Sequence, residues 1–312
     1  MPARQKRTLP TRKARRLISH AIKAPNAHNT QPWRFTVEGS TIRILPDEDR
    51  ALPAADPDRR ELLASLGCAA ALLEVAGRHE GYSTTTTHPG KASGGVKVTF
   101  RKGKKSDRLF RNITERRTNR GPYLPKELPE GLAEECRALC EPGVKADLLT
   151  GEDKEAVAEM VLEGDAKQFQ DKAYRRELGA WLGRGVMGGD KVSNAIAKLV
   201  VTHLNPGKAI GKKEARLIKG SPAYAVLSTD EDGPAAWTKT GASYARIALH
   251  LTAKKLASHP MNQGLTEVEE HRRRLAEKAG RRHAQLGFRL GHPAKRGGKK
   301  SPRRPVGDVM NK

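Results

Sequence analysis

Cysteine is scarce in this chain of 312 residues, which has only Cys68, Cys136 and Cys140. Three thiols are too few for a disulfide framework, and no second pair or nearby histidine stands at zinc-finger spacing, so reduced, buried thiols and no metal site are expected. Aromatic residues supply only 4% of the chain, which leaves a core to be built from Leu, Val, Ile and Ala. Runs of about twenty apolar residues are missing. The basic start, Met1 to Arg16, is not followed by an apolar stretch of signal-peptide length. A cytoplasmic protein without a membrane partner is expected. Negative charge is also in short supply: 35 acidic against 59 basic residues give a formal charge of +24. Such a charge attracts any polyanion and does not by itself choose among them. The basic clusters, at Lys102, Lys104 and Lys105, at Arg272 to Arg274 and at Lys299, Lys300, Arg303 and Arg304, are dispersed as on a solvated surface. No zinc finger, aromatic RNA-binding string or helix-turn-helix accompanies them, so no specific nucleic-acid partner is expected.

What is present is a mixed helix and strand pattern. From Arg12 to Lys23 the apolar residues Ala14, Leu17, Ile18, Ala21 and Ile22 have the spacing of one buried helical face, which Pro25 then ends. Phe35, Val37, Ile42 and Ile44 alternate around Glu38-Gly39-Ser40, as in a β-hairpin. Asp56-Pro57 places a capping residue and a proline ahead of a broad apolar face from Leu62 to Leu73, a central buried helix. Val96 to Phe100 reads as a strand after a Gly/Thr/Ser-rich link, and Arg101 to Lys105 as an exposed loop at the boundary between two parts, 1–105 and 106–312. The second part offers helical patterns around Leu109 to Ile113, from Leu132 to Leu139, from about Glu155 to Arg176 and from Ser243 to Lys255. Strands are expected at Ala146 to Leu149, Ala223 to Leu227 and Arg281 to Leu290. Residues 181–220 read as an excursion or lid, and 295–312 as an extended basic arm. Gly183-Arg184-Gly185-Val186-Met187-Gly188 has dinucleotide-loop glycine spacing but follows a helical pattern, so it is set aside.

Two strings can carry chemistry. In Ala24-Pro25-Asn26-Ala27-His28-Asn29-Thr30-Gln31-Pro32-Trp33-Arg34-Phe35 two prolines stiffen a loop, while Asn29 and Gln31 each present a donor and an acceptor that suit the edge of a flat heterocycle. A turn with Trp33 and Phe35 in the core accounts for the same residues. Arg116-Arg117-Thr118-Asn119-Arg120 sets three guanidinium groups and a hydroxyl close together, a match for phosphate oxygens. An exposed basic helix end is the competing account.

Together the two strings resemble the Asn/Gln/Pro/Trp loop and the arginine-rich phosphate motif of the nitroreductase-like superfamily. Their order along the chain is similar to that of its Acg-like branch, in which two halves are fused and one flavin site is kept. The resemblance extends to Asp56-Pro57 with Arg60 to Gly67, to Trp237 with Gly241-Ala242, to Ser258 to Gln263 and to Pro302-Arg303-Arg304-Pro305. It implies an α+β nitroreductase-like fold of two tandem halves forming an intramolecular pseudo-dimer, with FMN as cofactor and NAD(P)H as electron donor. By the same resemblance Arg116, Arg117, Thr118 and Arg303 hold the phosphate, and Arg120 lies at the ring edge that becomes anionic on reduction. Asn29 and Gln31 read the ring edge, Pro25 and Asn26 of the same loop are further cofactor-binding residues, and Asn262 and Gln263 belong to the segment near its reactive nitrogen. No side chain is required as a nucleophile or general acid. Two functions stay open: an oxidoreductase acting on nitroaromatic or quinone-like acceptors, and a non-catalytic flavin-binding or flavin-storing protein with a lid over the FMN. The chain is expected as a monomer or a homodimer.

Overall fold

Two long, small-residue-rich helices cross at the centre of the computed structural model, which describes residues 8–262, 268–295, 297 and 300–311. The first part begins with α1 (Thr11–Ala21), whose buried residues are Ala14, Leu17, Ile18 and Ala21. It continues through the hairpin β1 (Trp33–Glu38) and β2 (Thr41–Pro46), then α2 (Arg60–His79), β3 (Tyr82–Thr87) and β4 (Val96–Lys102). The four strands form an antiparallel sheet in the order β1-β2-β4-β3. The helix expected directly after Pro57 starts at Arg60 instead. Asp56 reaches forward to accept hydrogen bonds from the Glu61 and Leu62 amides at 3.1 and 2.8 Å, satisfying first-turn donors from outside the helix. The Thr-rich link proves to contain β3, because the run Thr84 to Thr87 is β-branched and pairs with β4.

The second part holds α3 (Leu132–Ala138), β5 (Val144–Leu149), α4 (Gly151–Gln168), α5 (Lys172–Gly183), α6 (Lys191–His203), α7 (Gly207–Lys219), β6 (Ala223–Thr229), α8 (Pro234–Ala253), β7 (Ala257–Pro260), α9 (Glu269–Lys278) and β8 (His283–Gly291). Its strands form a second antiparallel sheet, β5-β6-β8-β7. Three expectations are corrected. The pattern around Leu109 to Ile113 gives only a short 3₁₀ turn at Phe110–Ile113. The single helix expected from Glu155 to Arg176 is two, parted where Asp171 accepts from the Ala173 amide and caps α5. The excursion at 181–220 is itself helical, and with α4 and α5 it makes a layer of four helices.

Each sheet is thus accompanied by one 20-residue helix, α2 or α8, and these two pack on each other at backbone contact distance. A Cβ on Gly67 would lie 1.9 Å from the Thr238 carbonyl oxygen, and one on Gly241 would lie 1.8 Å from that of Ala64. Both glycines are required by this close approach. One continuous apolar core runs from α1 through α2 and α8 to β8 and includes residues of both parts. Where that core is crossed by charge, the charge is paired: Arg246 of α8 bonds Glu74 of α2 and Glu141, each at 2.6 Å. Among the described residues, α2 is the one helix long and apolar enough to cross a membrane, and it is buried in this core. The tail returns along the first sheet, with Asn311 donating to the Phe35 carbonyl at 2.9 Å.

Candidate functional site

Two adjoining cavities lie beside the loop that follows α1. The first, of about 320 Å³, has α2 (Glu61, Ala64, Ser65, Cys68) on one side, Tyr244, His259, Asn262 and Leu286 on another, and the four-helix layer as a roof. The second, of about 380 Å³, is lined by Lys23, Arg116, Arg117, Arg120, Lys300 and Arg303 and, among the described residues, by no carboxylate. Pro25, Asn26, Thr118, Arg120 and Met187 line both, so the two form one bent cleft with an apolar chamber and a cationic one.

The cationic chamber is built from three distant stretches of chain. Arg116 ends a tight turn, its amide bonded to the Asn112 carbonyl at 2.8 Å. Its guanidinium is buried and donates only to the Lys23 carbonyl, at 3.3 Å, while Nε and Nη1 have no partner. Burial, with Arg117 and Arg120 adding to it, pulls its pKa down. Arg303 arrives on the tail and donates to Asn29 Oδ1 at 2.6 Å, with its Nε unpartnered; burial first, then Arg116 and Arg117, lowers its pKa to about 10. Buried donors left unsatisfied cost about 1–3 kcal/mol each, more when charged. Several cations gathered in a chamber that no described carboxylate lines, two of them with orphaned donors, therefore point to an anion as the missing partner.

The loop between α1 and β1 is held in an unusual shape. His28, Asn29 and Gln31 all have positive φ, at 45°, 54° and 53°. Clustered left-handed backbone at non-glycine residues is a mark of functional loops. The expected role of the two amides is not what their contacts show. Asn29 lines the cationic chamber, but its Nδ2 donates to the Val186 and Pro302 carbonyls at 2.6 and 3.0 Å. Gln31 lines neither chamber; its Oε1 accepts from the Arg304 amide at 2.7 Å and its Nε2 reaches Pro302 O at 3.4 Å. Both side chains clamp the tail, and Arg304 adds an ion pair to the buried Asp47 at 2.9 Å.

The other expected residues fall as follows. Pro25, Asn26, Thr118 and Arg120 stand where the chambers meet, Arg116, Arg117 and Arg303 line the cationic one, and Asn262 lines the apolar one. Asn262 Oδ1 accepts from the Gly287 amide at 2.8 Å. Gln263 lies outside the described residues. The glycine-rich string at 183–188 follows helix α5, as its pattern implied, and forms the turn that brings Met187 to both chambers.

Several residues the motifs did not reveal shape the cleft. Lys23 and Lys300 add two cations. Arg289, fully buried in β8, donates to the Asn119 and Gly121 carbonyls at 3.0 and 2.8 Å, stacks 4.3 Å above the Tyr123 ring, and so fixes the turn that carries Thr118 and Arg120. Its Nε donates to His259 Nδ1 at 3.3 Å, which leaves the proton of that imidazole on Nε2. Burial, then the charges of Arg289 and Arg120, keep His259 neutral. His28 is likewise held neutral, its pKa lowered to about 4 by burial and by Arg120. The visible signal for Arg289 was an arginine set between Phe288 and Leu290 in the buried half of a strand.

No family model matches the chain. Among curated proteins it is 28% identical over 267 residues to the protein named "Putative NAD(P)H nitroreductase Rv3131" of Mycobacterium tuberculosis, covering 80% of this chain and 76% of that relative. The protein named acg in the same organism, with the same nitroreductase description, is 46% identical over 55 residues, 18% of this chain and 16% of the relative. A third protein of that organism, Rv3127, is 24% identical over 311 residues, covering 93% and 90%. Among solved structures, the FMN-dependent nitroreductase NfnB from Mycobacterium smegmatis in complex with NADPH aligns with a TM-score of 0.44 at 16% identity, covering 64% of this chain and 96% of that chain. The nitroreductase-like family protein from Bacillus cereus aligns with a TM-score of 0.42 at 16% identity, covering 66% and 96%.

Proposed function

The chain belongs to the nitroreductase-like superfamily, and from that premise we propose that it is an FMN-dependent oxidoreductase passing electrons from NAD(P)H to small nitroaromatic or quinone-like acceptors. The observation that carries this reading is the bent cleft itself: a cation-only chamber with orphaned guanidinium donors opens into an apolar chamber through Thr118 and Arg120. A ligand with a phosphate at one end and a flat heterocycle at the other fits that division of chemistry. The fused arrangement of two sheets and two paired helices supplies within one chain the kind of interface that separate subunits would otherwise form.

In this reading Arg116, Arg117, Thr118 and Arg303 hold the phosphate, with Lys23 and Lys300 adding charge. Pro25, Asn26 and Arg120 lie where the phosphate arm passes into the ring chamber, and Arg120 places a positive charge beside the ring. Bound FMN supplies the redox chemistry; the protein supplies position and electrostatics. Asn29 and Gln31 act at one remove, by holding the tail that delivers Arg303. The roof of α4 to α7 covers one side of the apolar chamber, with Asp165, Phe169, Tyr174, Leu178 and Glu214 among its lining.

That roof also favours a second reading, a flavin-binding protein without turnover. Glu177 of α5 latches it to the first part by accepting from the Ala54 and Ala55 amides at 3.1 and 2.9 Å. Phe169, Tyr174, Trp181 and Val201 pack in one cluster with Leu52 and Ala55. The deciding experiment is an absorption spectrum of the purified protein, FMN titration of the apoprotein, and NAD(P)H oxidation with nitroaromatic and quinone acceptors. About one FMN per chain with acceptor-dependent turnover supports the oxidoreductase; FMN without turnover on any acceptor supports storage. No FMN binding would sink both.

A further inference from the structure

The roof contributes more than cover. Asp165 of α4 is fully buried and lines the apolar chamber, and apart from Glu214 no described group partners its carboxyl oxygens. Glu214 of α7 lines the same chamber and faces it. Two carboxyl groups this close, out of water, cannot both be ionised. The groups facing the pair are Lys213 on α7, Arg120 from the loop carrying Thr118, Arg289 on β8, Tyr174 on α5 and Tyr224 on β6, and Glu61 of α2 lines the same chamber. Burial raises Glu214 as well, but Arg289, Lys213 and Arg120 oppose that rise, so the pair's one negative charge is placed on Glu214. Asp165 keeps the proton.

Resting on the oxidoreductase reading above, we propose that Asp165 is the proton donor to the acceptor reduced in this chamber, with Glu214 as its ionised positioning partner. Reduction of a quinone by a hydride equivalent, drawn from NAD(P)H through the flavin, leaves an oxygen anion on the acceptor. The Asp165 O–H bond breaks as a new O–H bond forms on that oxygen, giving the hydroquinone. The Asp165 carboxylate regains a proton from water once the product leaves. Three other titratable groups of the chamber, Cys68, Tyr244 and His28, are poorly matched to this task. Burial pushes the Cys68 thiol and the Tyr244 phenol up to about 12, and His28 is neutral. Burial and the neighbouring Glu214 raise Asp165 to about 8, close to the pH at which a donor is most effective.

The test uses FMN-loaded protein, reduced with NADPH and mixed by stopped flow with either a benzoquinone, which must gain protons, or ferricyanide, which takes single electrons and none. Asp165→Asn is expected to slow quinone reduction by about 100-fold while ferricyanide reduction stays within about twofold of the parent. In the parent, the quinone rate should fall as pH rises through about 8, and this limb should vanish in Asp165→Asn. Glu214→Gln removes the anion that raises Asp165, so it should shift the limb to lower pH; it carries the test if Asp165→Asn loses its flavin. Equal losses with both acceptors, no loss with quinone, or an unmoved limb in Glu214→Gln overturn the proposal. Failure of the parent protein to bind flavin, or of NADPH to bleach it, overturns the underlying reading and the proton role with it.

Discussion

Arg116→Gln separates a phosphate-binding arginine from a merely buried one. This guanidinium is buried, has one long hydrogen bond to a carbonyl, and its Nε and Nη1 have no partner among the described residues. A phosphate dianion would accept from both. Hydrogen bonds to charged groups contribute about 1.5–3 kcal/mol each, so losing even one weakens FMN by on the order of 10- to 100-fold. Riboflavin, which has the ring but no phosphate, should bind Arg116→Gln about as well as it binds the parent. The assay is fluorescence quenching of each flavin on titration with apoprotein at fixed salt, since the phosphate contribution is screened by ions. The apoprotein offers an independent sign. Burial depresses the Arg116 pKa, with the neighbouring arginines adding to it, so the charge is held at a cost and its removal should leave the melting temperature of the apoprotein unchanged or higher. Equal weakening of FMN and riboflavin, or unchanged FMN affinity, would refute the assignment of this chamber to phosphate.

Three further perturbations test the frame around the cleft. Gly241→Ala sets a methyl 1.8 Å from the Ala64 carbonyl oxygen; forcing α2 and α8 apart should cost about 1–3 kcal/mol or more and lower the melting temperature by several degrees, and an unchanged melt would show that the crossing is not tight. Arg289→Met removes the donors to the Asn119 and Gly121 carbonyls; thermal melts should show about 1.5–3 kcal/mol of destabilisation, FMN should weaken, and Arg289→Lys should not rescue, because one ammonium cannot copy the fork. His28 has a folded pKa of about 4, below the ordinary 6.5, so the folded state binds fewer protons than the unfolded one between these values. Its contribution is present above pH 6.5 and is lost as the pH falls towards 4. Replacement by Asn, which tolerates positive φ and does not titrate, should flatten that acid slope in melts recorded from pH 7 down to 4.5; an unchanged slope would assign it to other groups.

Which parts could be read from the chain follows from where the physical signal lies. The faces of α1 and α2 were legible because each buries a stripe at helical spacing, and the first hairpin because Phe35, Ile42 and Ile44 point one way. Strand β3 was hidden: its residues are polar throughout, and only its β-branching and its partner β4 make it a strand. The break between α4 and α5 carries no proline or glycine, though Asp171 before an apolar-periodic run was a cap in plain view. At the site, the arginines of 116–120 were legible because they are clustered in sequence. Asp165 and Glu214 were not, because two helices of the roof must fold back on each other before the carboxyls meet.

The clearest divergence between residue type and role is at Asn29 and Gln31. An amide beside a heterocycle and an amide clamping a backbone satisfy the same donor and acceptor rules, so composition alone cannot tell them apart. The structure distinguishes them through what each carbonyl and guanidinium nearby needs. The tail at 301–304 has no strand ladder to satisfy its backbone, and Asn29 and Gln31 supply those bonds: one receives Arg303, the other the Arg304 amide, and both donate to Pro302. Asn29 also bonds the Val186 carbonyl in the turn between α5 and α6. A single left-handed loop therefore ties the roof and the tail to the floor of the cationic chamber. Three sequence-distant segments meet on the one Asn29 side chain, its own loop, the turn at Val186 and the tail at Pro302 and Arg303, and a substitution there removes its bonds to the turn and the tail.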